Sequence, residues 1–149
     1  MSLEQKVMQD LKAAMKAKDQ KALRGIRAIK AAILLEKTSG DKKEMTEEQE
    51  IKLLQKLVKQ RKDSLAIYQK EGRDDLANIE EEEIKVIERY LPEQMSEEEL
   101  QAEVDKIIEE TGASSMKDMG KVMGIATKRF AGRAEGKAIS AAVKQKLSS

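Results

Sequence analysis

TEEQEIKLLQKLVKQRKDSLAIYQKEG, Thr46 to Gly72, is written almost entirely in residues that favour helix. Ile51, Leu54, Val58, Leu65 and Tyr68 recur along it at helical spacing, which predicts a helix from about Glu47 to Lys70. Thr46 and Gln49 form a capping-box pair at its start, and Glu71–Gly72 stops it. Arg61 occupies a position where this seam calls for a hydrophobe. Two readings of it compete. It is either an arginine ion-paired with an acid of the next helix, such as Glu83, or a binding residue in a groove. In the second reading Arg24, Arg27, Lys59 and Lys62 extend a basic surface around it.

The same pattern continues on both sides. Upstream, Ser2 and Gln5 cap a helix to about Lys18, with Leu3, Val7, Leu11, Ala14 and Met15 as its apolar stripe. A second helix, about Lys21 to Lys37, turns Leu23, Ile26, either Ile29 or Lys30, and Ile33 inward, and Ser39–Gly40–Asp41 reads as a turn. Downstream, a helix from Asp74 to about Leu91 buries Leu76, Ile79, Ile84, Ile87 and Leu91, and Pro92 ends it. Ser96 and Glu99 open a fifth helix to about Thr111, closed by Gly112. Two more follow, about Met116 to Ala131 and Lys137 to Leu147. No strand pattern and no fixed-period repeat interrupts them. The expected fold is all-α: an N-terminal helical domain of about four helices, residues 1–93, and a smaller C-terminal three-helix domain, residues 94–149.

Composition narrows the chemistry. The 149 residues include no Cys, no His and no Trp. Thiol catalysis, disulfides and thiolate zinc sites are excluded, and the side chain best suited to proton transfer at neutral pH is absent. No catalytic residue, metal site or cofactor is expected. The run Glu80–Glu83 reads as a solvated helix face. The longest aliphatic run, Ala31 to Leu35, is five residues, far below the ~20 needed to cross a bilayer. No targeting stretch is visible, so the expected compartment is the cytoplasm, with no membrane partner.

Charge is segregated. Residues 1–73 carry 18 bases and 11 acids, 74–112 carry three bases and 15 acids, and 113–149 carry eight bases and two acids. Field strength follows local charge, so a near-neutral total of +1 conceals a basic tail. On a wheel of about 100° per residue starting at Met119, the residues Val122, Met123, Ala126 and Phe130 cluster on one side. Lys117, Lys121 and Lys128 fall near the opposite side. In the last helix Ile139, Ala142, Val143 and Leu147 face inward, while Lys137 and Lys144 lie on the outer face. A surface built only for solubility mixes signs, so this pattern points to a polyanion. The candidate nucleic-acid-binding residues are Lys117, Lys121, Lys128, Arg129, Arg133, Lys137 and Lys144. The turn Gly132–Arg133–Ala134–Glu135–Gly136 reads either as a plain connection after a helix-ending glycine or as a phosphate cradle with Arg133 and Lys137.

Several motifs together resemble the GatB/YqeY family. They are Asp118–Met119–Gly120–Lys121–Val122–Met123, Gly132–Arg133–Ala134–Glu135–Gly136, Lys59–Gln60–Arg61–Lys62–Asp63–Ser64, Tyr90–Leu91–Pro92–Glu93–Gln94 and Gly112–Ala113–Ser114–Ser115, with Leu23–Arg24 and Lys30. The resemblance covers essentially the whole chain and implies two helical domains. The smaller is similar to the tail of the B subunit of glutamine-dependent tRNA amidotransferase, where the module helps hold tRNA. It also implies a link to carbon–nitrogen ligase activity with glutamine as amido-N-donor. Amidotransfer needs an activated nucleophile and a nucleotide site. This chain has neither a Cys nor a Gly-x-x-x-x-Gly-Lys-Ser/Thr loop. The expectation is therefore a non-catalytic module that binds tRNA or a related structured RNA. The alternatives are an adapter that docks a translation or amidotransferase protein through the acidic helices 74–111, or an accessory subunit of the ligase reaction.

Overall fold

A computed structural model of the chain describes residues 1–40 and 44–148. Among them are seven α-helices and no strand: α1 Leu3–Ala17, α2 Gln20–Ser39, α3 Glu47–Lys70, α4 Asp74–Glu88, α5 Glu97–Thr111, α6 Met119–Arg129 and α7 Gly136–Ser148. The fold is all-α, as the periodicity requires. The chain divides into two compact units, Met1–Leu91 and Pro92–Ser149.

In the first unit α4 packs on α3 and α2, and α1 packs on α2. Val7, Ile29, Leu54 and Ile87, one from each helix, are fully buried. The alternative of Ile29 or Lys30 resolves to Ile29, and Lys30 is exposed. The capping boxes at Ser2/Gln5 and Thr46/Gln49 both form. Asp19 caps α2 by accepting from the Ala22 N–H at 3.1 Å. Gly25 lets α2 approach α4 closely: a Cβ there would lie 2.6 Å from Val86 Cβ. The Leu3 N–H donates to Glu50 Oε2 at 2.7 Å, tying the start of α1 to α3. Of the expected turn after α2, Ser39 ends the helix and Gly40 caps it, while Asp41 lies outside the described residues.

The second unit has its own core. Val104, Ile107, Val122, Phe130 and Val143 are buried there, each worth roughly 1.5–3 kcal/mol of burial at full size. The helix expected from Met116 begins as a 3₁₀ turn, Met116–Asp118, before α6 proper. Asp118 Oδ2 accepts from the Ser114 and Ser115 N–H groups at 3.0 and 3.4 Å, which holds that turn. The segment before α5 is strapped to the turn after α6. The Met95 N–H donates to the Arg133 carbonyl at 2.9 Å, and Gln94 Nε2 donates to the Gly132 carbonyl at 2.7 Å. Gly132 has φ +77°, the left-handed conformation that favours glycine.

Candidate nucleic-acid interface

The second unit separates its charges by helix. Helix α5 carries seven acids and one base, whereas residues 116–148 carry eight bases and two acids. One of those two acids, Asp118, is turned onto backbone N–H groups. Helix α6 can present lysines outward because Val122, Ala126 and Phe130 take its buried side. In α7, Ile139, Ala142, Val143 and Leu147 do the same.

The seven candidate residues divide into two groups. Lys117, Lys121, Lys128, Lys137 and Lys144 are all exposed, and none forms an ion pair with an acid among the described residues. Lys117 lies on the 3₁₀ turn, so the α-helical wheel does not fix its direction, although it remains exposed. The two arginines are engaged within the unit. Arg129 donates to both oxygens of Glu110, at 3.3 and 2.9 Å. That contact holds the exposed Glu110 carboxyl below the usual carboxylate range and raises the guanidinium. Arg133 Nε donates to the Glu93 carbonyl at 2.9 Å, and its Nη2 lies 3.8 Å from Glu99. The turn Gly132–Gly136 therefore works as a connection: its arginine and two of its carbonyls hold residues 93–95. Lys146, which adds to the charge of the tail, reaches Asp105 at 3.2 Å.

One feature of α6 was not legible as a surface in the sequence. Gly120 and Gly124 lie one helical turn apart, and a Cβ at either would meet nothing within 4 Å. Helical packing does not require glycine at these positions, and each costs up to about 1 kcal/mol relative to alanine. Bare backbone thus lies beside Lys121 and Lys128 on α6.

The basic residues of the first unit are arranged differently. Arg61 Nε donates to Glu83 Oε2 at 2.9 Å and Nη1 donates to the Leu57 carbonyl at 3.1 Å. The ion-pair reading of Arg61 is the one the structure has. Arg24 donates to Glu82 at 3.0 Å, and Lys21 joins the same carboxylate at 3.3 Å. Arg27, Lys59 and Lys62 are exposed. The reading of Glu80–Glu83 as a solvated face is corrected. Only Glu81 is exposed, because the run lies where α4 packs against α2 and α3. Glu82 and Glu83 are paired, and one oxygen of Glu80 is buried without a partner.

These features define a class: a two-unit helical protein whose smaller unit carries exposed lysines on its 3₁₀ turn, α6 and α7. The family is then direct. The sequence model of the YqeY-like proteins matches residues 4–147, and the chain belongs to that family. Its domain is the one found as the tail of the GatB subunit. Among its relatives are three yeast proteins named "Altered inheritance of mitochondria protein 41, mitochondrial". That of Vanderwaltozyma polyspora is 35% identical over 116 residues, 74% of this chain and 63% of the relative. That of Kluyveromyces lactis is 39% identical over 103 residues, 67% and 55% of the two chains. That of Lachancea thermotolerans is 36% identical over 108 residues, 71% and 58%. The alignments thus span between half and two thirds of these relatives. Their names overturn the cytoplasmic expectation, since each is designated mitochondrial. That expectation rested on finding no apolar leader, which carries no information about compartment.

Proposed function

We propose that the protein is a non-catalytic RNA-binding module that holds tRNA, or a related structured RNA, against the outer face of α6 and α7. The observation that carries this reading is the set of five exposed lysines, Lys117, Lys121, Lys128, Lys137 and Lys144, with no acid paired to any of them among the described residues. Lysine ammonium groups on a face of this kind contact phosphate oxygens, which position an RNA without reading its bases. Gly120 and Gly124 let a phosphate backbone approach α6 closely. Arg129 and Arg133, both tied to acids or carbonyls of the unit, frame this face, and the lysines carry the contacts. The family's link to the tail of the amidotransferase B subunit supports tRNA as the RNA class. In this reading the chain binds RNA and carries out no step of amide transfer. The names of the relatives support a mitochondrial setting.

The test is the affinity of the full chain for a tRNA transcript, measured by fluorescence anisotropy, against the double variant Lys121→Glu/Lys128→Glu. Both lysines are exposed, so the variant should fold normally. The expected result is a loss of at least tenfold. Unchanged affinity in the folded variant would overturn the proposal.

A further inference from the structure

A second surface lies within the first unit. Between the C-terminal half of α2 and the N-terminal half of α3 the two helices leave a groove of about 310 Å³. Leu35, Leu53 and Leu57 make its floor. Leu35 is 68% exposed, more than any other large apolar side chain among the described residues except Met1. Lys52 and Lys56 stand on the α3 rim and Glu36 on the α2 rim. Lys59 continues the α3 ridge: at about 100° per residue, 52, 56 and 59 fall within about 60° of one another. All three lysines are exposed. Lys52 meets only Glu48, at 3.4 Å, in a pair so open to solvent that it holds the lysine weakly.

We infer that this groove docks an amphipathic helix of another protein, with apolar anchors at i, i+4 and i+7 and acidic residues along the edge that faces α3. The α3 side of the groove, Gln49 to Gln60, is roughly 16 Å long, or three helical turns, which matches that anchor spacing. The apolar floor favours protein over RNA, because a phosphate backbone gains nothing from leucine. The charge favours an acidic helix over a second copy of this chain. In a two-fold pairing the α3 ridge would meet one Glu36 per copy, leaving most of its cations unmatched. This inference is independent of the RNA reading, since no residue is shared.

The experiment uses a display library of 14-residue helices with leucine fixed at positions 4, 8 and 11 and the remaining positions randomised, panned against the full chain. Selected peptides should be enriched in Asp and Glu on one side of the leucine stripe. Their affinity should fall at least tenfold in Leu35→Asp and in Lys52→Glu/Lys56→Glu. The second variant should also prefer peptides with basic residues at the same positions. It keeps the test valid if Leu35→Asp does not fold. Lys121→Glu/Lys128→Glu should bind the peptides normally, which separates this result from the outcome of the RNA test. Basic or charge-neutral selection would overturn the inference. So would competition of the selected peptides by tRNA, or a dimer of the wild-type chain that Leu35→Asp converts to monomer.

Discussion

Gly25 shows how a single residue fixes an interface. Its missing side chain is the space Val86 occupies, with both Cβ and Cγ1 of Val86 2.6 Å from where a Cβ would stand. Both partners are on rigid helices, so neither can yield cheaply. Gly25→Ala should destabilise the protein by roughly 1–3 kcal/mol despite alanine's better helix propensity. Urea unfolding checks this, and Gly25→Ala/Val86→Ala should not restore wild-type stability, because alanine at 86 keeps the Cβ that lies 2.6 Å away. Glu80 makes a second argument at this scale. Burial, then the nearby Glu83 charge, raise its carboxyl above the ordinary range, and Arg61 opposes them. A raised carboxyl means that the folded protein holds a proton the unfolded chain has released. Stability should therefore fall as pH rises from the ordinary carboxylate value through the raised one. Glu80→Gln should be more stable than wild type at pH 7, with a flatter stability profile across that window. A wild-type profile that rises through it would contradict the assignment.

At the scale of the element, α6 makes an unusual pairing of effects. Gly124 sits in the helix interior with open space around it, so Gly124→Ala should add about 0.5–1 kcal/mol of stability. The same methyl would push an RNA backbone away from Lys121 and Lys128, so tRNA affinity should drop even as the melting temperature rises. Affinity unchanged by the substitution would remove α6 backbone from the interface. Helix limits were largely legible, because caps and stops are local chemistry: α3 begins and ends where Thr46, Gln49 and Gly72 imply. Elsewhere locality failed. Helix α4 ends at Glu88, three residues before the expected Leu91 and well ahead of Pro92. Met15, at the edge of the α1 stripe, is exposed, while Ala14 beside it is buried. The pairing of Arg129 with Glu110, and the engagement of Glu82 and Glu83 by α2 and α3, join residues 19 to 58 positions apart, which no helical period encodes. The α2–α3 groove was invisible for the same reason. Leu35, Leu53 and Leu57 fall outside the predicted apolar stripes, and only the packing of α2 and α3 brings them to one groove.

For the whole molecule, a net charge of +1 is a poor guide to what the surface does. The acids of the smaller unit collect on α5, where Asp105 and Glu110 already take up Lys146 and Arg129. On the 3₁₀ turn, α6 and α7, the exposed Lys117, Lys121, Lys128, Lys137 and Lys144 have no ion-pair partner among the described residues. Each lysine that meets a phosphate releases a counterion, so log affinity should fall with log salt by roughly 0.7–0.9 per contact. Five lysines imply a slope near −4, which is on the order of a tenfold loss between 100 and 200 mM salt. Lys121→Glu/Lys128→Glu should reduce that slope by about 2, whereas a variant of the paired Arg129 should change it by less than 1. Neutral-salt titration of tRNA binding for the three proteins measures all of this at once. A slope near zero, or an Arg129 variant that shifts it as much as the lysine pair, would mean that the exposed ammonium groups are not what the RNA meets.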